Sequence, residues 1–273
     1  MPESPIRKLV PFAEKAKQKG VKVFHLNIGQ PDIETPPAAI EAVRNSKIKV
    51  LAYSKSEGDI ELRNKICNYY SKLDIKINNS EVIVTSGASE ALLFTLGSIM
   101  DPSEEIIIPE PFYANYNGFS VANGVNIIPI FSRIDNNFKL PKIEDFENLI
   151  TEKTKGILIC NPNNPTGYVY SRDEIKTLVE IVKKHNLFLI ADEVYREFTY
   201  ENACHTSILE FSQIQENAIV IDSVSKRYSM CGARIGCIIS KNAEFISTAM
   251  KFAQVRLSPP TLAQIASTAA MDV

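Results

Sequence analysis

Short runs of Ile, Val and Leu alternate along the chain with longer stretches in which apolar residues recur every three to four positions. That alternation predicts βαβ units around a mostly parallel sheet. The runs read as strands are 82–85, 105–108, 126–130, 156–160, 187–191, 218–222 and 235–240. Several are apolar at successive positions, as strands covered on both faces must be. The clearest helix follows Ser171, which with Glu174 makes an S-x-x-E capping box; Ile175, Leu178, Val179 and Val182 then share one face. Lys183 and Lys184 fall in its last turn, where positive charge suits the helix dipole. A second helix is predicted over 60–73, with Leu62, Ile66, Tyr69 and Tyr70 on one side, and a third from Ser89 through Leu92, Leu93 and Leu96. The first thirty or so residues, ending in Gln30-Pro31-Asp32 and Pro36-Pro37, read as an arm outside the sheet.

In an open parallel sheet, ligands bind beyond the carboxyl ends of the strands. The chain's distinctive polar residues fall there: Ser86 to Ser89, Pro109 to Tyr113, Asn161 to Gly167, Asp192, and Ser223 to Lys226. Five loops thus converge on one edge, a functional signal in its own right.

Composition narrows the chemistry. The chain has 30 basic and 32 acidic residues, a balance that gives no reason to expect nucleic acid or an anionic membrane as partner. No apolar run reaches bilayer length, and the first twenty residues are too polar for a secretory signal, so a cytoplasmic protein is expected. The five cysteines include no CxxC pair, and the three histidines are scattered, which predicts reduced thiols and no metal site. There is no G-x-G-x-x-G or P-loop pattern, which argues against a nucleotide-binding domain.

Taken one at a time, the polar residues have ordinary readings. Lys226 and Arg234 suit a solvated loop, Asp192 a strand-end turn, and Asn161 to Gly167 a pair of tight turns. Tyr195 and Tyr113 suit a core, and Tyr53 a surface loop. Taken together they resemble a family. The run from Ser223-Val224-Ser225-Lys226 to Arg234-Ile235-Gly236 is similar to the lysine-attachment segment of the class I and II, or fold-type I, pyridoxal-phosphate-dependent aminotransferases, the group that includes aspartate aminotransferase. Asn161-Pro162-Asn163-Asn164-Pro165-Thr166-Gly167 resembles the family's NPxNPTG loop, Asp192-Glu193-Val194-Tyr195 its D-E-x-Y, and Gly29-Gln30-Pro31-Asp32 its G-x-P-D. The stretch from Tyr53-Ser54 through Gly58 to Leu62-Arg63 also matches, and the blocks stand in family order over nearly the whole chain.

The resemblance implies an α/β fold with a mixed, mostly parallel sheet between helices. It implies residues 1–34 as an arm or small-domain segment and 35–273 as the large cofactor domain. It implies pyridoxal 5′-phosphate joined to Lys226 as an imine, with Lys226 then moving a proton between substrate and cofactor. Asp192 would keep the pyridine nitrogen protonated, and Asn164 and Tyr195 would hydrogen-bond the phenolic oxygen. Gly87, Ala88, Ser89, Ser223 and Arg234 would hold the phosphate, and Tyr113 would lie against the ring. Gly29 would approach the substrate carboxylate together with Asn164, and Tyr53 would reach the neighbouring site of a homodimer. Amino acids and 2-oxo acids are the implied substrates, in amino-acid metabolism and biosynthesis.

No residue here matches the family's C-terminal substrate arginine. The resemblance therefore implies that the C-terminal part of the small domain is absent and that apolar surface is exposed over 262–270. Arg256 is expected at a surface or interface. Alongside transamination stand two alternatives: a C–S lyase or other eliminase on the same scaffold, and a catalytically incomplete cofactor-binding module.

Overall fold

The computed structural model describes residues 6–272. Seven strands, β1 (Val82–Thr85), β2 (Glu105–Glu110), β3 (Asn126–Phe131), β4 (Thr154–Cys160), β5 (Phe188–Asp192), β6 (Ala218–Ser223) and β7 (Gly236–Ile239), form one sheet in the order β1-β7-β6-β5-β4-β2-β3. The pairs β3/β2, β2/β4, β4/β5 and β5/β6 are parallel. Only β7 runs against its neighbours, β6 and β1. The sheet is therefore mixed, with the carboxyl ends of β1, β2, β4, β5 and β6 at the same edge and β7 starting from it.

The helices in chain order are α1 (Val10–Gln18), α2 (Pro37–Arg44), α3 (Ile60–Ser71), α4 (Ala88–Ile99), α5 (Tyr116–Asn123), α6 (Ile143–Glu147), α7 (Arg172–His185), α8 (Val224–Arg227), α9 (Ala243–Arg256) and α10 (Thr261–Ala270). The predicted capping box opens α7: Ser171 Oγ accepts from the Glu174 N–H, and Glu174 Oε2 accepts from the Ser171 N–H at 2.8 Å.

Alternation along the strands divides the core in two. Val82, Val84, Ile107, Ile157, Ile159, Leu189 and Val220 face the layer with α3 and α7, against Leu62, Ile66, Leu178 and Val182. Ile83, Ile106, Ile108, Leu158, Ile190, Ile219, Ile221 and Ile238 face the other layer, against Leu92 and Leu96 of α4 and Phe245 and Ala249 of α9. Each fully buried Ile or Leu contributes about 1.5–3 kcal/mol of transfer free energy.

The predicted strands fall within one to two residues of the observed ends, and the differences have local causes. The strand expected over 187–191 begins at Phe188, because the Leu187 N–H bonds the Val182 carbonyl and so completes the end of α7. β2 continues through Pro109, which lacks an N–H; its register with β4 extends only to Ile107. The helix expected over 60–73 stops at Ser71, and Asp74 adopts a left-handed conformation just beyond.

No strand draws on residues 6–34, and α1 has no buried residue. The expectation of exposed apolar surface over 262–270 holds at Leu262, which is exposed, and is corrected for the rest of the helix: α10 packs against α2 and α3, with Ala266 and Ala270 buried. Residues 1–5 and 273, which belong to the expected arm and cofactor-domain spans, lie outside the described residues.

Gly236, at the start of β7, leaves no room for a side chain. A Cβ there would lie 2.6 Å from the Ala88 nitrogen and the Gly87 carbonyl carbon, both of them backbone. Gly236→Ala is expected to destabilise the protein by about 2–3 kcal/mol through displacement of the 86–89 turn. A urea denaturation midpoint indistinguishable from that of the unchanged chain would contradict this packing.

Candidate functional site

The turn after β6 is built to present one lysine. Ser223, the N-cap of α8, accepts from the Ser225 N–H at 3.0 Å and donates to the Ile235 carbonyl at 2.8 Å. Arg227 closes the turn from below, with Nη2 at 3.0 and 2.9 Å from the two oxygens of buried Asp222 and its guanidinium 3.9 Å from the Tyr69 ring centre. Tyr70 also donates to Asp222, at 3.1 Å. With its neighbours held, Lys226 Nζ projects to the sheet edge, 2.5 Å from the Gly29 carbonyl and 5.5 Å from the Tyr195 ring centre. Cys231 Sγ lies 3.8 Å from the same nitrogen.

Asp192 ends β5 and is almost wholly buried. Tyr116, also buried, donates to its Oδ2 at 2.8 Å, whereas Oδ1 has only a 3.4 Å contact from the Val194 N–H. Burial pushes the carboxyl up to about 6, against the opposing pull of the Tyr116 hydroxyl, the Val194 N–H and the Lys226 charge. A buried carboxylate with an under-used oxygen suits a cationic N–H partner.

The Asn161–Gly167 loop uses two of its asparagines to hold itself. Asn161 accepts from the Tyr170 N–H at 3.1 Å and donates to the Thr206 carbonyl at 3.3 Å. Asn163 Oδ1 accepts from the Thr166 N–H and hydroxyl at 3.1 and 2.9 Å. The side-chain amide of half-buried Asn164 has no hydrogen-bond partner among the described residues and remains free for a ligand. Gly29 lies against Tyr195 and Lys226; a Cβ there would be 3.0 Å from Tyr195 Oη and 3.9 Å from Lys226 Nζ, so a side chain at this position would press on the tyrosine hydroxyl.

A third group forms where β1 passes into α4. Gly87, with φ of 79°, caps the helix, and the Ala88 and Ser89 N–H groups lie in its first turn, where no intrahelical acceptor reaches them. The Arg234 guanidinium lies against Gly87 so closely that a Cβ at Gly87 would collide with it. Arg234 is itself left-handed, with φ of 55°, and donates to the Cys231 carbonyl at 3.1 Å and the Ser86 carbonyl at 3.5 Å. Among the described residues it has no carboxylate partner, so helix end and guanidinium together form a positive cradle suited to a phosphate, with the Glu90 carboxylate in the same first turn bound to the Ser86 N–H.

The sequence-predicted residues thus separate clearly. Gly29, Tyr195 and Lys226 meet directly, Asp192 lies within the reach of the Lys226 charge, and Gly87 and Arg234 meet at the head of α4. Tyr113 lies edge-on to Tyr116, with ring centres 5.5 Å apart, and its hydroxyl accepts from Asn115 at 2.7 Å. Tyr53 is 79 % exposed and makes no described contact with the others. Arg256 does not lie open on the surface of the chain: its side chain is 13 % exposed and pairs with Glu90 at 2.8 Å. Sequence reading also missed Tyr116 as the donor to Asp192. Its spacing of three from Tyr113 is the only signal, and many core tyrosines share it. Among the described residues no group of three or more His, Cys, Asp or Glu side chains is placed to hold a metal ion, and no helix is long and apolar enough to cross a membrane.

Residues 21–273 match the family model described as aminotransferase class I and II. An aspartate aminotransferase of Thermotoga maritima is 36 % identical over 280 residues, covering 99 % of this chain and 73 % of that protein. A (5-formylfuran-3-yl)methyl phosphate transaminase of Methanocaldococcus jannaschii is 36 % identical, covering 97 % of this chain and 68 % of its own length. The crystal structure of the Thermotoga maritima aspartate aminotransferase superposes with a TM-score of 0.94 at 33 % identity, covering all of this chain and 72 % of that one. An alanine aminotransferase from Pyrococcus furiosus gives a TM-score of 0.88 at 32 % identity, over 98 % of this chain and 70 % of that one.

Proposed function

The chain belongs to the aminotransferase class I and II family, whose activity is pyridoxal-phosphate-dependent transamination, and on that premise we propose that the residues gathered at the sheet edge are its cofactor and catalytic site. The observation that carries this reading is the separation of three chemically distinct groups on one edge. An amine stands at Lys226, a buried carboxylate at Asp192, and an unpaired guanidinium beside a helix N-terminus at Arg234 and Gly87. Pyridoxal phosphate, when bound, supplies an aldehyde for an amine, a ring that accepts electrons and a phosphate anchor.

In this reading Lys226 Nζ is the amine that takes the aldehyde and, once displaced by substrate, the base that moves a proton from the substrate Cα. The Gly29 carbonyl aims that nitrogen. Asp192 Oδ1 holds a proton on the ring nitrogen, while Tyr116 keeps Oδ2 engaged. Asn164 and Tyr195 donate to the phenolic oxygen, and Tyr113 covers one ring face. Arg234 and the N–H groups of Ala88 and Ser89 bind the phosphate; Gly87, whose own N–H donates to the Thr85 carbonyl, shapes the turn. Ser223 joins once its hydroxyl turns from the Ile235 carbonyl, with Tyr53 reaching the corresponding site of a second copy in a homodimer. Gly29 and Asn164 border the place for the substrate carboxylate. Residues 1–34 act as the arm and 35–273 as the cofactor domain, in a cytoplasmic enzyme.

The curated relatives above are both transaminases, which favours amino transfer over elimination. Their names span an amino acid and a furan aldehyde phosphate, so the amino donor is open to direct test. A titration of the pyridoxal-phosphate-loaded protein with a panel of amino acids is expected to convert the cofactor absorbance to that of pyridoxamine phosphate with at least one of them. Release of pyruvate and ammonia from a cysteine conjugate, without that conversion, would instead indicate an eliminase.

A further inference from the structure

Arg256, the last residue of α9, reaches across to the far side of the proposed phosphate cradle. Its Nη1 lies 2.8 Å from Glu90 Oε2, and its Nη2 donates to the Ser56 carbonyl at 2.8 Å and the Val84 carbonyl at 3.3 Å. One guanidinium therefore ties together the Tyr53–Gly58 segment, the end of β1 and the first turn of α4. Glu90 Oε2 in turn accepts from the Ser86 N–H at 2.7 Å, while the Ser86 carbonyl faces Arg234 Nη2 at 3.5 Å. Ser86, the residue before the cradle, is held on its amide side by Glu90 and on its carbonyl side by Arg234.

The charge balance makes this arrangement more than a brace. Glu90 stands in the first turn of α4, the helix end proposed to receive a phosphate. A carboxylate there competes for the same positive end and repels an incoming dianion. Both side chains are mostly shielded, at 13 % and 16 % exposure, so their pairing is screened less than a surface pair would be. We propose that Arg256 is a positioning residue for the phosphate end of the site: it holds the Glu90 carboxylate on Ser86 and offsets its charge, which leaves the Ala88 and Ser89 N–H groups and Arg234 to the phosphate. The inference rests on the cofactor reading above and adds a residue pair to it.

The test compares pyridoxal phosphate with pyridoxal, which lacks the phosphate, by equilibrium dialysis on the full chain. Arg256→Met is expected to weaken pyridoxal phosphate binding about tenfold and to leave pyridoxal binding unchanged. Adding Glu90→Gln in the same chain is expected to restore most of that loss, because the freed carboxylate is then gone. Glu90→Gln alone is expected to tighten pyridoxal phosphate binding, a readout of opposite sign should Arg256→Met fold poorly, and unchanged or weaker binding by that variant would overturn the proposal. Equal weakening of both ligands by Arg256→Met, no change in either, or no restoration by Glu90→Gln would overturn the proposal. If the unchanged chain binds the two ligands equally well, the phosphate cradle itself is wrong and the inference falls with it.

Discussion

Lys226→Ala is expected to slow the half-reaction with an amino acid by about 10³- to 10⁴-fold while the protein still binds pyridoxal phosphate. The two effects separate because the lysine and the phosphate cradle come from different segments. Lys226 rises from the turn after β6, and the cradle is formed by the head of α4 and Arg234. Removing the side chain leaves Asp222, Arg227 and Ser223 to hold the turn, so stability should change little. The space vacated beside Gly29 and Tyr195 should also admit a small primary amine, and added methylamine is expected to recover part of the rate. Stopped-flow absorbance resolves all of these outcomes; a variant retaining more than a tenth of the rate would remove Lys226 from its assigned role.

Asp192→Asn is expected to lower the same rate by about 10³-fold yet make the cofactor-free protein more stable at alkaline pH. The sign follows from burial. The folded protein holds the Asp192 proton more tightly than the unfolded chain does, with the carboxyl pushed up from 3.8 to about 6. Folding therefore binds protons in that window, and the stability contribution, fully present below about pH 4, is lost as pH rises through 6. At pH 8 the ionised carboxylate costs on the order of 3 kcal/mol, which an amide does not. Glu193 shifts the same way, to about 7, whereas burial lowers His205 to about 3, so its contribution is lost in the opposite direction, as pH falls below its unfolded value. Subtracting the Asp192→Asn profile from that of the unchanged chain cancels both. Melting temperatures that differ equally at pH 4 and pH 8 would contradict the account. A site that costs stability in order to hold a charge is the expected signature of function.

The pattern of apolar positions located the sheet because burial on both faces leaves a mark that strand residues share. Ile106 to Ile108 and Ile157 to Ile159 divide between the two cores and could not be polar at any of those positions. Lys226, Asp192 and Arg234 were legible only through their company, since each alone is an ordinary strand-end residue. Geometry the chain reaches through long loops was not legible. Nothing local to Arg256 points to Glu90, 166 residues earlier, and nothing local to Tyr116 points to Asp192. The packing of α10 against α2 and α3 was missed for the same reason: its buried residues are Ala, Ser and Gln, which carry little hydrophobic signal.

The assignment depends above all on which amine carries the cofactor. Borohydride reduction of the pyridoxal-phosphate-loaded protein, followed by peptide mapping, should place a single covalent adduct on Lys226, and Lys226→Ala should carry none. An adduct on another lysine, or a protein left unlabelled although loaded, would contradict it.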